Sequence, residues 1–172
     1  MVRKPVLIAV DTNVLLDQAV EDADVLDAIA TIKARLTGST FLVPPTVLEE
    51  LGYQYSEGDA EERHAAERAL ECMQEWGYNP INVIPVGKGI AERLRFKLRS
   101  SGVLPDEEEN DGFIIAESAL LGCNLLLSSD HHLIEAQDHP DFRKILKESD
   151  VDGDGLVIGR PRTIVSRFYR KK

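Results

Sequence analysis

The sequence predicts an α/β protein: a three-layer αβα sandwich around a mostly parallel central sheet. Three observations carry this. Short apolar runs such as Val6–Val10 and Leu125–Leu127 read as strands buried on both faces, as in a parallel sheet. Strand-like and helix-like segments alternate along the chain. Two of the apolar runs end in an aspartate, Asp11 and Asp130, at the carboxyl edge where open α/β sheets bind ligands.

The first strand, Val6–Val10, stops at Asp11, Thr12 and Asn13. A helix is expected from Asp22 to Leu36, with Val25, Ile29, Ile32 and Leu36 on one face. Gly38 and Ser39 break it, and Phe41, Leu42 and Val43 form a second strand closed by Pro44 and Pro45. Thr46 is placed to cap a helix anchored by Val47, Leu48 and Leu51, which carries Glu49 and Glu50 in its first turns. Glu49 suits the helix dipole, whereas Glu50 is positioned to join acids at the sheet edge. A long charged helix is expected from Ser56 to Glu75, then a turn at Gly77, Asn79 and Pro80 and a strand from Ile81 to Val86. Ile90, Leu94 and Leu98 mark a further helix, and Ser100 to Asn110 reads as an acidic loop.

The stretch from Asn110 to Asp130 organises the rest. Asn110 is a suitable N-cap, which puts Asp111 in the first turn of an apolar, buried helix. Gly122 is placed to end that helix in the left-handed region. Leu125–Leu127 then delivers Ser128, Ser129 and Asp130. Short helices around Leu133–Ala136 and Pro140–Ser149, a strand at Leu156–Ile158 and an amphipathic terminal segment complete the order. The run from Asp150 to Gly155 resembles the first half of a calcium loop, but its twelfth position is Pro161 rather than a bidentate Glu, so an Asp/Gly turn is the better reading.

At 172 residues the chain is expected to be one domain, and 43% hydrophobic with 29% charged residues is a globular composition. No apolar run is long enough to cross a bilayer, and the opening apolar run enters Asp11 without a cleavage site, so neither a membrane span nor a signal peptide is expected. Cys72 and Cys123 both sit in apolar helical contexts, which favours reduced core thiols and a cytoplasmic location. A net charge of −10 argues mildly against a nucleic-acid partner, because phosphate binding wants a positive field. Basic residues nonetheless cluster, with Arg93, Arg95 and Arg99 in one segment.

Asp11, Glu50, Asp111 and Asp130 come from four distant segments, each at a strand's carboxyl end or a helix's amino end. Carboxylates gathered at one edge repel unless a cation neutralises them. A set of oxygen ligands without cysteine suits Mg2+ or Mn2+ better than zinc. Such sites support phosphoryl transfer to water.

These motifs, in this order, resemble the PIN domain family of metal-dependent nucleases. The matching elements are Asp11-Thr12-Asn13, Glu50-Leu51, Asn110-Asp111-Gly112-Phe113-Ile114-Ile115-Ala116 and Ser128-Ser129-Asp130. The resemblance spans about the whole chain, which implies a single PIN-like domain over 1–172 with a helical insert near 56–80 and an extended C-terminal segment from 138 to 172. It implies metal ligands, and thus catalytic residues, at Asp11, Glu50, Asp111 and Asp130, with Thr12, Asn13 and Ser128 orienting them. It further implies an endoribonuclease using metal-activated water, RNA as substrate, a homodimer, and, by likeness to the VapC-like toxin ribonucleases, an antitoxin partner. His132 stands where the family usually has another acid, and Ser128 where it usually has threonine. His132, Arg93, Arg95 and Arg99 are the candidate substrate contacts. Two alternatives stand beside this: a catalytically weak PIN-like module that binds RNA or protein, and a phosphatase with Asp11 as nucleophile. The second is disfavoured because Asn13 occupies the place of the second aspartate that such enzymes use.

Overall fold

A computed structural model describes residues 4–83, 85–149, 151 and 155–169. Most of the calcium-loop-like run (Asp150, Asp152, Gly153 and Asp154) lies outside the described residues. Among the described residues five strands form one sheet in the order β3-β2-β1-β4-β5, and every pairing is parallel.

The central strand β1 (Leu7–Val10) pairs with β2 (Thr40–Val43) on one side and β4 (Leu125–Leu127) on the other, with Ile8 opposite both Phe41 and Leu125. Ile8, Ala9, Val10, Leu126 and Leu127 are fully buried, as unbroken apolar runs in a two-sided sheet must be. The chain builds outward from β1 through β2 to β3 (Tyr78–Pro80), then crosses to the other side of β1 for β4 and β5 (Val157–Gly159). The reversal falls between β1 and β4. At such a switch point, helices leave on opposite faces and open a crevice at the strands' carboxyl ends.

Nine helices are found among the described residues. Helix α1 (Thr12–Ala19) follows β1 directly and was not expected from the sequence. It is short, and its apolar stripe of Val14, Leu15 and Ala19 merges visually with the run before it, yet Asp11 caps it and Gln18 is buried on the same face. Helix α2 (Ala23–Arg35) starts where expected, capped by Asp22, whose side chain accepts from the Val25 N–H at 3.1 Å.

The segment expected as one helix over 56–75 is two. Helix α3 (Pro45–Glu57) ends at Gly58, and α4 (Ala60–Cys72) begins with a capping box between Asp59 and Glu62. Pro45 occupies the first turn of α3, so Thr46 lies inside the helix rather than at its cap. The 56–80 stretch packs into the fold. Its Ala65, Ala66, Ala69, Met73 and Tyr78 are buried, and it contributes β3 to the sheet. The strand expected at 81–86 falls instead on Tyr78–Pro80, with Tyr78 opposite Phe41 and Pro80 opposite Val43. Pro80 is tolerated there because β3 is an edge strand. Helix α5 then starts at Pro85 and runs to Ser100.

Helix α6 (Glu109–Leu120) begins one residue before Asn110, so Asn110 is not its cap; Glu108 holds that position without a side-chain cap bond. Gly122 ends the helix at φ 71°, in the left-handed region. Helices α7 (His131–Asp138), α8 (Phe142–Glu148) and α9 (Pro161–Tyr169) complete the layers. No helix among the described residues is long and apolar enough to cross a membrane.

Helices α5 and α6 pack closely where Gly112 meets Arg95. A Cβ on Gly112 would stand 2.7 Å from Arg95 Cγ and 3.3 Å from Arg95 Cα. Gly112→Ala is therefore expected to force the helices apart beside Asp111 and to destabilise the fold by about 1–3 kcal/mol, read by urea unfolding. An unchanged midpoint would show that Arg95 moves away freely.

Candidate metal centre

The switch point brings the sequence's acids together. Asp11 follows β1, and its backbone N–H donates to Leu127 O of β4 at 3.0 Å. That bond sets the end of β1 beside the residues that follow β4. Ser128 donates its hydroxyl to Asp11 Oδ2 at 2.6 Å, and the Thr12 N–H donates to Asp11 Oδ1 at 2.7 Å. Asp11 thus has each carboxylate oxygen held by one donor while it caps α1.

The Asp130 N–H donates to Ser128 Oγ at 3.0 Å, so one serine hydroxyl links both aspartates. Asp130 caps α7, accepting from the His132 N–H at 2.7 Å. Asn13 Oδ1 accepts from the Ser129 N–H at 3.2 Å, a second tie between the two strand ends. Glu50 arrives from α3. Its Oε2 accepts from the Thr12 hydroxyl and its Oε1 from the Asn110 amide at 2.8 Å. Thr12, Asn13 and Ser128 therefore each bond to the acids or to the backbone that carries them.

Asp111 is the exception. It is buried in the first turn of α6, and its Oδ2 has no hydrogen-bond donor. Burial pushes its carboxyl up to about 8, and the charges of Asp130, Asp11, Glu108 and Glu50 push the same way. Asp11 is raised to about 6: burial outweighs the Ser128 and Thr12 hydrogen bonds, and Glu50 and Asp130 add repulsion.

The four acids sense one another, but among the described residues no three His, Cys, Asp or Glu side chains lie close enough to hold one ion between them. Like charges keep apart, and their electrostatic coupling reaches further than a metal–ligand bond. The residue set still fits a hard cation on two counts. Asp111 Oδ2 is a buried acceptor that no protein donor satisfies. The available donors are carboxylate oxygens, the chemistry Mg2+ and Mn2+ take.

The basic residues do not form one patch. Arg93 is exposed, whereas Arg95 and Arg99 lie half-buried on another face of α5 and pair with Glu109 at 3.7 and 3.2 Å. Arg95 also lies over the Phe113 ring at 4.7 Å. His132 sits near the acids, with Nε2 3.4 Å from Glu108 Oε1.

The sequence reading missed Glu117. It is buried one face of α6 away from the acids and accepts from the Thr46 N–H at 3.0 Å and the Thr46 hydroxyl at 2.6 Å. Burial raises its carboxyl, Thr46 opposes that, and Glu49 and Glu50 add to the rise. The bonds tie the first turn of α3 to α6, which sets Glu50 relative to Asp111. A lone acid inside the apolar run 113–121 was the available signal.

A model of the PIN domain family matches residues 8–138. Among solved structures, the fold is similar to that of VapBC2 from Rickettsia felis bound to a DNA fragment from their promoter. The similarity covers 90% of this chain and 98% of that chain at 14% identity, with a TM-score of 0.59. No curated protein sequence matches.

Two outcomes follow from the raised carboxyls and from Glu117. Above the ordinary aspartate value of 3.8, folded Asp11 and Asp111 hold protons that the unfolded chain has released. Their contribution to stability is therefore full at low pH and is lost as pH rises through about 6 and about 8. Thermal melts in EDTA are expected to show a lower Tm near pH 8 than near pH 5, with Asp111→Asn shrinking the difference; an identical difference in the variant would contradict the assignment. Glu117→Ala strands the Thr46 donors and is expected to cost about 2 kcal/mol or more in urea unfolding. A loss below about 0.5 kcal/mol would show that α3 is held by other contacts.

Proposed function

The chain belongs to the PIN domain family, whose members are generally nucleases, and from that premise we propose that it is a divalent-metal-dependent endoribonuclease. The observation that supports this is the buried, donor-free Asp111 Oδ2 at the switch point of a parallel sheet, on a carboxyl raised by burial and by the charges of Asp130, Asp11, Glu108 and Glu50. Mg2+ or Mn2+ would be held by Asp11, Glu50, Asp111 and Asp130. Bound there, the ion supplies acidification of water and neutralisation of charge on the phosphate.

The chain's own groups do the rest. Ser128 and the Thr12 N–H fix both oxygens of Asp11, so its orientation is set before any ligand arrives. The Thr12 hydroxyl and Asn110 do the same for Glu50. Asp130 is held by the His132 N–H, which leaves its other oxygen available. The apolar surroundings of α6 keep water from screening Asp111, which strengthens its attraction for a cation. Water is the nucleophile, so the site needs neither a serine nucleophile nor a histidine base. RNA rather than DNA follows the family resemblance. We read residues 1–172 as one PIN domain, cytoplasmic, extended beyond the family match by α8, β5 and α9.

A narrower reading is a toxin of the VapC type that works as a homodimer with an antitoxin. The likeness to VapBC2 over 90% of the chain favours it. Loss of growth on expression, reversed by a co-expressed neighbouring gene, is the test of that reading. Unimpaired growth with active enzyme would remove it.

Cleavage of a mixed end-labelled RNA tests the main proposal. Cutting is expected with Mn2+, none with EDTA, and a loss of at least about a hundredfold with Asp11→Asn. Asn also caps helices well and relieves repulsion, so that variant is expected to keep or raise the metal-free Tm. Cutting that survives EDTA or Asp11→Asn would overturn the assignment of the site.

A further inference from the structure

Beside the acids lies a hollow that the catalytic reading leaves unused. It is a cavity of about 480 Å3 lined by Thr46, Glu49, Glu50, Tyr53, Gln54 and Asn110. Such a volume falls in the range of small-ligand sites, roughly 300–1,000 Å3. Glu50 and Asn110 form its inner wall, and they are the pair already bonded at 2.8 Å at the edge of the acid cluster. Tyr53 and Gln54 stand one turn of α3 further out, about 5.4 Å along the axis.

The lining has a definite chemistry. Tyr53 is 69% exposed, a large aromatic side chain kept in solvent at the mouth of the hollow. Gln54 Oε1 is buried without a hydrogen-bond donor. Glu49 is exposed and makes no hydrogen bond or ion pair among the described residues. No lysine or arginine lines the cavity, and two carboxylates do. A phosphate is repelled there. A flat group with N–H donors on its edge is not.

Unpaired nucleobases are such groups: they stack on aromatic side chains and are read by hydrogen bonds along their edges. We propose that this hollow is a base-reading subsite, in which a nucleobase flanking the cut phosphate stacks on Tyr53 and presents N–H donors to Glu49. The inference rests on the nuclease reading for the position of the phosphate, and on the hollow itself for the base. The acceptor-rich wall sets the preference. Guanine presents a ring N–H and an amino group side by side, which suit a carboxylate as a two-point contact. Adenine and cytosine present one amino group. Uracil places a carbonyl on each side of its single N–H, and those oxygens meet Glu49 unfavourably. The expected order is guanine first and uracil last.

The test is equilibrium binding, which does not require cleavage. The probes are dye-labelled 2′-O-methyl pentanucleotides of uridine with one variable central residue, titrated with full-length protein in Mg2+ and followed by anisotropy. The guanine probe is expected to bind about tenfold or more tightly than the all-uridine probe. Tyr53→Ala is expected to weaken the guanine probe by about tenfold, and Tyr53→Phe to keep most of the affinity. Glu49→Gln is expected to reduce the guanine-to-uridine ratio. Both side chains are exposed, so the variants are expected to melt like the wild type. Equal binding by Tyr53→Ala, a phenylalanine variant as weak as the alanine one, or no preference among bases would overturn the subsite. So would failure of the wild type to bind any probe, and that result would leave metal-dependent cleavage to be judged on its own assay. Binding through Tyr53 by a protein that cuts no RNA would uphold the subsite and overturn the catalytic reading.

Discussion

The structure depends on one hydrogen-bonded junction: the end of β1 held against the end of β4. The Asp11 N–H to Leu127 O bond continues the sheet ladder by one step, and the Ser128 hydroxyl closes onto Asp11 Oδ2. Without that junction Asp11 and Asp130 would be two helix caps on separate loops. With it, they share a serine, and Glu50 of α3 and Asp111 of α6 are coupled to them electrostatically. The apolar strands do not merely support the site. Their register, Val10 opposite Leu127, decides which residues emerge together.

The cost of that arrangement falls on Asp111 and Asp11. Burial and like charge both favour the protonated acid, so the folded chain holds these carboxyls in a form that the unfolded chain would not. A fold that tolerates such crowding gains something from it when a cation binds, because the same low-dielectric surroundings that penalise a lone carboxylate strengthen its attraction to a metal. Around this strained centre the groups that bond to the acids are paired. Thr12, Asn110, Ser128 and the His132 N–H each have a specific acid to bind, and Glu117 spans to Thr46. The contrast singles out Asp111 Oδ2.

Much of this was legible in the sequence because the physics there is local. Leu125–Leu127 cannot be anything but buried, Gly122 is where a left-handed helix end is needed, and the aspartates lie within three residues of their strands' ends. The misses have non-local causes. Asn110 looks like a cap by residue type, but the helix starts one residue earlier and the amide is drawn to Glu50, 60 positions away. Tyr78–Pro80 looks like part of a turn because Gly77 precedes it and Asn79 and Pro80 lie within it, yet burial of the Tyr78 ring, with its hydroxyl 2.5 Å from Gln18 Oε1, makes it the edge strand. Arg95 and Arg99 look like a free basic patch until α6 brings Glu109 to them. Thr46 paired with Glu117 required knowing that α3 and α6 touch.

The central claim is that crowded, proton-holding carboxylates are a cation site, and titration calorimetry reaches it most directly. Mn2+ would be titrated into the protein near pH 7 in two buffers of different ionisation enthalpy. An ion that binds these carboxylates must displace the proton from Asp111, so the account predicts saturable binding with release of about one proton, both lost in Asp111→Asn. Binding without proton release, or binding unchanged in the variant, would contradict it.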